Sequence, residues 1–130
     1  HGQLHSLQEI DSEGGKRFLR GGRVKGCYHL MGEVNDVLVI CEGYATGASI
    51  HEATGHAVAV AFNVGNLGAV AAALRKKFSA SRIVIAADDD WKTHGNPGLT
   101  NASRVARECG ALLAAPKFTN GREEGDTDFN

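Results

Sequence analysis

The sequence predicts an α/β domain: a parallel sheet with flanking helices, preceded by a small antiparallel β meander. Three observations carry this prediction. From Asn35 onward, short apolar runs alternate with stretches of helical spacing, the grammar of β-α-β units and hence of parallel strands joined by right-handed crossovers. Before Glu33 the runs are short, β-like and separated by glycine pairs. The chain of 130 residues is 42% hydrophobic, enough for one domain with a core and too apolar for a disordered segment.

In the first region, "LHSLQEID" alternates, and "GGKRFLRGG" and "KGCYHLMG" are further short runs; Gly14-Gly15 and Gly21-Gly22 supply the turns. Residues 1–33 form a β-rich subregion and 34–130 the α/β domain. There "DVLVICEG" is a continuous apolar run, as expected of a strand covered on both faces, and ends at Glu42. A short helix, "ATGASIHEATG", stops at Gly55. "HAVAVAF" is a second buried strand ending at Asn63. In "GNLGAVAAALRKKFS", Leu67, Val70, Leu74 and Phe78 fall at helical spacing, and Arg75, Lys76 and Lys77 occupy the last turn, where cations suit the macrodipole. "RIVIAAD" is the third strand. "LTNASRVARECG" is the third helix, with Pro97-Gly98 before it and Gly110 after it, and "ALLAAPKF" is a fourth short strand.

Composition excludes several classes. A net charge of −1 provides no bulk field for nucleic acid or membrane, so nucleic-acid contact has to come from local patches or metal ions. Cys27, Cys41 and Cys109 are odd in number and include no C-x-x-C pair, which argues against a disulfide framework or a zinc finger and makes a reducing cytoplasm the expected setting. No stretch is apolar enough to span a bilayer. The chain opens at His1 and stops at "DTDFN", and reads as a piece of a larger protein.

Ligands of open α/β sheets bind outside the carboxyl ends of the strands. Three strand ends here carry polar groups: Glu42, Asn63 and the run Asp88-Asp89-Asp90. Asp89 taken alone reads as a turn residue. Asp88 and Asp90 lie too far before the third helix to cap it. Carboxylates packed together repel unless a cation intervenes, and oxygen-rich sites suit Mg²⁺ or Mn²⁺. The expected metal-binding set is therefore Asp88 and Asp90 with Glu42 on the neighbouring strand end, the alternative being a solvated acidic turn.

The stretch "VLVICEGYATGASI" followed by "IVIAADDDWKTHGNPGL" resembles the TOPRIM domain shared by primases, topoisomerases and some nucleases, with its Rossmann-like sheet, a Glu at the first strand end and D-x-D after the third. The resemblance is closer to primases of plasmid-transfer and prophage proteins, of the TraC-like kind. It is carried by the Glu42–Ser49 segment, by "AFNVGNL" at Ala61–Leu67, by "NPG" at Asn96–Gly98 and by a truncated D-F-N at Asp128–Asn130. The loop departs from many TOPRIM proteins, because Trp91, Lys92, Thr93 and His94 stand where a glycine often follows D-x-D.

The resemblance implies RNA primer synthesis from ribonucleoside triphosphates on a single-stranded DNA template, with Glu42, Asp88 and Asp90 as the catalytic acids. It also implies a zinc-binding segment and a helicase or accessory domain elsewhere in the full protein. Gly43, Asn63, Asn66 and Lys92 are the expected contacts to nucleotide or nucleic acid. Gly43 and Gly47 would leave backbone open to a phosphate near a helix N-terminus, or simply form a tight turn. Asn66 would contact nucleotide or cap the following helix. Asp126 and Asp128 either add acids or belong to a frayed end. Two other readings share the strand-end acids: a TOPRIM nuclease or topoisomerase part, and a receiver-like phosphoacceptor module. The receiver needs a Lys-Pro pair where this chain has Pro116-Lys117, and an acidic pair where it has only Glu42.

Overall fold

The computed structural model describes residues 3–89, 92–117 and 128–129. Its centre is a five-stranded sheet. The strands in chain order are β3 (His29–Met31), β4 (Val37–Cys41), β5 (Ala57–Val60), β6 (Arg82–Ala86) and β7 (Leu112–Ala114), lying side by side as β3-β5-β4-β6-β7. β4, β5, β6 and β7 are parallel, and β3 runs antiparallel along the edge against β5. β4 is the central strand, because its run Leu38–Cys41 is buried on both faces.

The two faces have separate cores. On one, Leu38, Ile40, Ile83 and Ile85 meet α2 (Leu67–Lys77) and α3 (Pro97–Glu108), whose Val70, Leu74, Ala102 and Val105 face inward. On the other, Val39, Cys41, Val58 and Val60 pack with Ile50 of α1 (Tyr44–Thr54) and with Phe129. The fold is thus the expected sheet with helices on both sides.

The N-terminal region differs from the expected meander. Only β1 (Gln8–Ile10) and β2 (Lys16–Phe18) pair with one another, as a separate two-stranded hairpin. The third run, β3, joins the main sheet, with His29 opposite Val60 and Met31 opposite Val58. A three-residue strand specifies little pairing by itself, and the apolar edge of β5 offers more burial than the polar hairpin. The boundary expected near residue 33 thus falls after a strand already in the main sheet.

The α1–sheet contact is unusually close. A Cβ placed on Gly47 would meet Val60 Cγ2 at 2.7 Å, Cys41 Sγ at 3.0 Å and Val58 Cγ1 at 3.3 Å. Gly47 therefore lets helix and sheet approach, and it is this packing, not an open phosphate seat, that its missing side chain serves. Arg75 closes the opposite edge of the sheet: its guanidinium donates to the carbonyls of Ser81 (2.9 Å), Cys109 (2.9 Å) and Gly110 (3.1 Å). It ties the end of α3 to the start of β6.

Candidate metal and nucleotide site

Strand register assembles the site. Cys41 of β4 lies level with Val60 of β5 and Ala86 of β6, so Glu42 leaves the sheet from its central strand, flanked by the β5 end at Ala61–Asn63 and the β6 end at Ala87–Asp89. The ladder runs slightly past the strands: the N–H groups of Ala61, Phe62 and Ala87 donate to the carbonyls of Cys41 (2.9 Å), Glu42 (2.7 Å) and Ala114 (2.8 Å). Glu42 and Asp88 are half-buried, and the Asp88 Oδ1 atom is withdrawn from solvent.

Cys41 reports the electrostatics of this edge. It is fully buried beneath the strand ends. Burial pushes its thiol up from 9.0 to about 12, and the charges of Asp88, Glu42 and Asp128 add to the rise in that order. Three carboxylates from distant parts of the sequence thus act on one point. Asp128 arrives there because Phe129 packs against the Cys41 face of the core. Of the two readings open for Asp128, the added acid is the one this packing favours. Asp126 and Asp90 lie outside the described residues, as does Trp91.

Among the described residues no group of three His, Cys, Asp or Glu side chains is placed to hold a metal ion. The donor set nonetheless fits a hard cation: Mg²⁺ keeps several waters and takes one or two carboxylates, with substrate phosphates completing its shell.

The neighbouring residues divide by what they touch. Asp89 accepts a hydrogen bond from Asn96 Nδ2. Asn96, at φ 43°, in turn caps α3 at Leu99 N, so Asp89 is the turn residue expected and pins the loop to the helix start. Asn63 accepts from Asn66 N (2.8 Å), so the capping side chain of this turn is Asn63 and not Asn66. Asn66 is 4% exposed, and its amide is committed three times: Oδ1 to Gly26 N (2.7 Å), and Nδ2 to the carbonyls of Cys27 (3.0 Å) and Ala61 (2.9 Å). It is a strut between the N-terminal region and the β5 end, which replaces the nucleotide contact expected of it. At Gly43, the N-cap of α1, an added Cβ would meet only Thr46 Oγ1 at 3.8 Å, so the backbone there is open. Lys92 and His94 are exposed.

Sequence reasoning passed over Phe62. It sits at φ 73°, a left-handed conformation that a bulky residue rarely adopts. Its N–H holds the Glu42 carbonyl, and its ring meets Phe18 of β2 edge-on at 5.7 Å. The residue therefore joins the hairpin to the peptide that carries Glu42. Nothing in the one-dimensional pattern marks it.

A family model described as a Toprim domain matches residues 37–130. The chain belongs to the Toprim domain family. It is 43% identical over 129 residues to a protein named DNA primase TraC from Escherichia coli, and 42% identical over 126 residues to a second protein of that name and organism. These matches take in 92% and 90% of this chain but only 12% and 9% of the two relatives. Among solved structures, the primase fragment of the bacteriophage T7 primase-helicase protein aligns with a TM-score of 0.64 at 16% identity, over 98% of this chain and 51% of the other. That likeness supports the fold. No helix among the described residues is long and apolar enough to cross a membrane.

Proposed function

We propose that this chain is the metal-dependent catalytic domain of a DNA primase, which extends RNA primers from ribonucleoside triphosphates on single-stranded DNA in plasmid or phage replication or transfer. The observation that carries this reading is the strand register that sets Glu42 and Asp88 on one carboxyl edge of the sheet, in a Toprim chain similar to two proteins named as DNA primases. That likeness favours nucleotide joining over the cleavage chemistry a nuclease would run with similar acids.

Glu42, Asp88 and Asp90 are assigned to hold Mg²⁺ or Mn²⁺. When bound, such an ion neutralises charge on phosphoryl oxygens and lowers the pKa of an attacking hydroxyl. The chain's own part is placement. The sheet register fixes Glu42 beside Asp88, and the open backbone at Gly43 admits a phosphate next to the start of α1. Lys92, exposed after the acidic run, is assigned to phosphate, and Asn63 to nucleotide through its amide nitrogen. The setting is the cytoplasm, with a zinc-binding or helicase domain elsewhere in the full-length protein.

In the full-length protein, Asp88→Asn and Asp90→Asn should each lower primer synthesis by roughly 100-fold or more, the loss expected when several kcal/mol of charge stabilisation are removed. Their circular dichroism and melting temperature should stay near wild type. Undiminished synthesis by both variants would sink the assignment.

A further inference from the structure

Two described residues other than glycine adopt a positive φ: Asn96 at 43° and Phe62 at 73°. Asparagine enters this region readily, because its short amide can bond locally. Phenylalanine does so only where its surroundings hold it, and residues held in this way cluster at functional sites. Phe62 stands just past the carboxyl end of β5, beside Glu42. In a regular strand successive N–H groups point to opposite edges. Here the N–H groups of Ala61 and Phe62 both donate to the β4 end, to the carbonyls of Cys41 at 2.9 Å and Glu42 at 2.7 Å. The chain therefore leaves strand geometry at this point, and the left-handed residue carries it into the turn that Asn63 caps.

The ring is what holds this conformation. It packs against the cluster of Val39, Cys41, Val58 and Val60, and it meets Phe18 of β2 edge-on, with centroids 5.7 Å apart and planes at 89°. Aromatic pairs of this geometry attract beyond the area they bury. A glycine would adopt the same φ without steric cost, so anchoring is what the phenylalanine adds. Phe18 belongs to the hairpin, whose strands pair with no strand of the main sheet. One line of contacts thus joins the hairpin to the central strand: the Phe18 ring, the Phe62 ring, the Phe62 N–H and the Glu42 carbonyl.

We propose that Phe62 is a positioning residue for Glu42. Its ring, locked by Phe18, maintains the turn whose N–H fixes the Glu42 peptide, and that peptide sets the direction in which the carboxylate leaves the sheet. The hairpin thereby tightens the cation site without supplying a ligand to it. The proposal rests on the reading of Glu42 as a metal ligand and deepens it. Phe62 acts on the acid of the central strand and not on Asp88, whose strand end is held by the bond from Ala87 N to the Ala114 carbonyl.

The test is Mn²⁺ binding to the 130-residue chain, read as loss of the free-ion EPR signal. Phe62→Gly should weaken binding by roughly 10- to 100-fold, the loss expected when the outer partner of a metal ligand is removed. Phe62→Tyr, which keeps the ring, should bind like wild type, and Phe18→Leu, which alters only the hairpin, should weaken binding in the same direction. A double-mutant cycle separates positioning from general damage: in a Glu42→Gln background, Phe62→Gly should add no further loss. Hydrogen exchange in EDTA gives a readout without metal, because the amide at position 62 should lose protection in both Phe62→Gly and Phe18→Leu. If Phe62→Gly fails to fold by circular dichroism, Phe18→Leu, outside the main sheet, decides the matter by the same criteria. Wild-type Mn²⁺ affinity in Phe62→Gly and Phe18→Leu would overturn the proposal, as would an undiminished loss in the Glu42→Gln background. Wild-type affinity in Glu42→Gln alone is a different failure: it removes Glu42 from the cation site, and the positioning role with it.

Discussion

Replacing Asn66 by alanine separates a strut from a ligand-binding residue. The side chain is 4% exposed and makes three hydrogen bonds to backbone, with Gly26 N at 2.7 Å, Cys27 O at 3.0 Å and Ala61 O at 2.9 Å. A hydrogen bond of this kind is worth about 1 kcal/mol net, and a buried partner left unsatisfied costs about 1–3 kcal/mol. Alanine removes all three and leaves the Ala61 carbonyl inside the protein, so the expected loss is about 3 kcal/mol. That is a large share of the roughly 5–15 kcal/mol typical of a domain. Urea unfolding followed by circular dichroism reads it as a lower midpoint with an unchanged slope. Hydrogen exchange adds a local readout, because the Gly26 amide should lose its protection. If Asn66→Ala unfolds within about 0.5 kcal/mol of wild type while nucleotide or metal binding falls, the strut argument fails and the residue contacts ligand.

Two further outcomes follow from packing and burial. Gly47→Ala should lower stability by about 1 kcal/mol: crowding against Val60, Cys41 and Val58 costs about 1–3 kcal/mol, and the better helix propensity of alanine returns about 1. Gly68→Ala, whose Cβ would meet Val105 Cγ2 at an ordinary 3.6 Å, should be neutral or stabilising, so thermal melts should show a lower midpoint for Gly47→Ala and an unchanged or higher one for Gly68→Ala. The Cys41 thiol is held at about 12 against 9.0. Its folded-state pKa is raised, so its contribution is fully present below pH 9 and is lost as pH rises from there toward 12, at about 1.4 kcal/mol per pH unit. In metal-free buffer, the stability difference between wild type and Cys41→Ala should stay flat below pH 9 and shrink above it; a flat difference to pH 11 would contradict the burial argument.

The parallel sheet was legible because β4, β5 and, from Ile83 on, β6 are unbroken apolar runs, as strands covered on both faces require. Strand ends then placed Glu42 and Asp88 on one edge. What escaped the sequence depends on contacts between distant residues. β3 reads as hairpin material until the bare edge of β5 captures it. Asn66 and Asn63 sit three residues apart with the same side chain, and only the approach of Gly26 and Cys27 makes one a strut and the other a cap. Asp128 lies 40 residues beyond Asp88 and becomes part of the edge through the burial of Phe129. The strained backbone of Phe62 has no counterpart in hydrophobic pattern or turn composition.

The central claim, one shared cation site at the strand edge, is tested most directly by titrating the chain with Mg²⁺ and Mn²⁺ and following backbone amide signals by NMR, with and without a ribonucleoside triphosphate. The account expects shifts for Mg²⁺ and paramagnetic broadening for Mn²⁺ centred on Glu42, Gly43, Asp88 to Asp90 and Asp128, at concentrations where the rest of the sheet is unaffected. Changes that are absent under both conditions, or scattered over the exposed carboxylates, would contradict it and leave the three aspartates as a solvated turn.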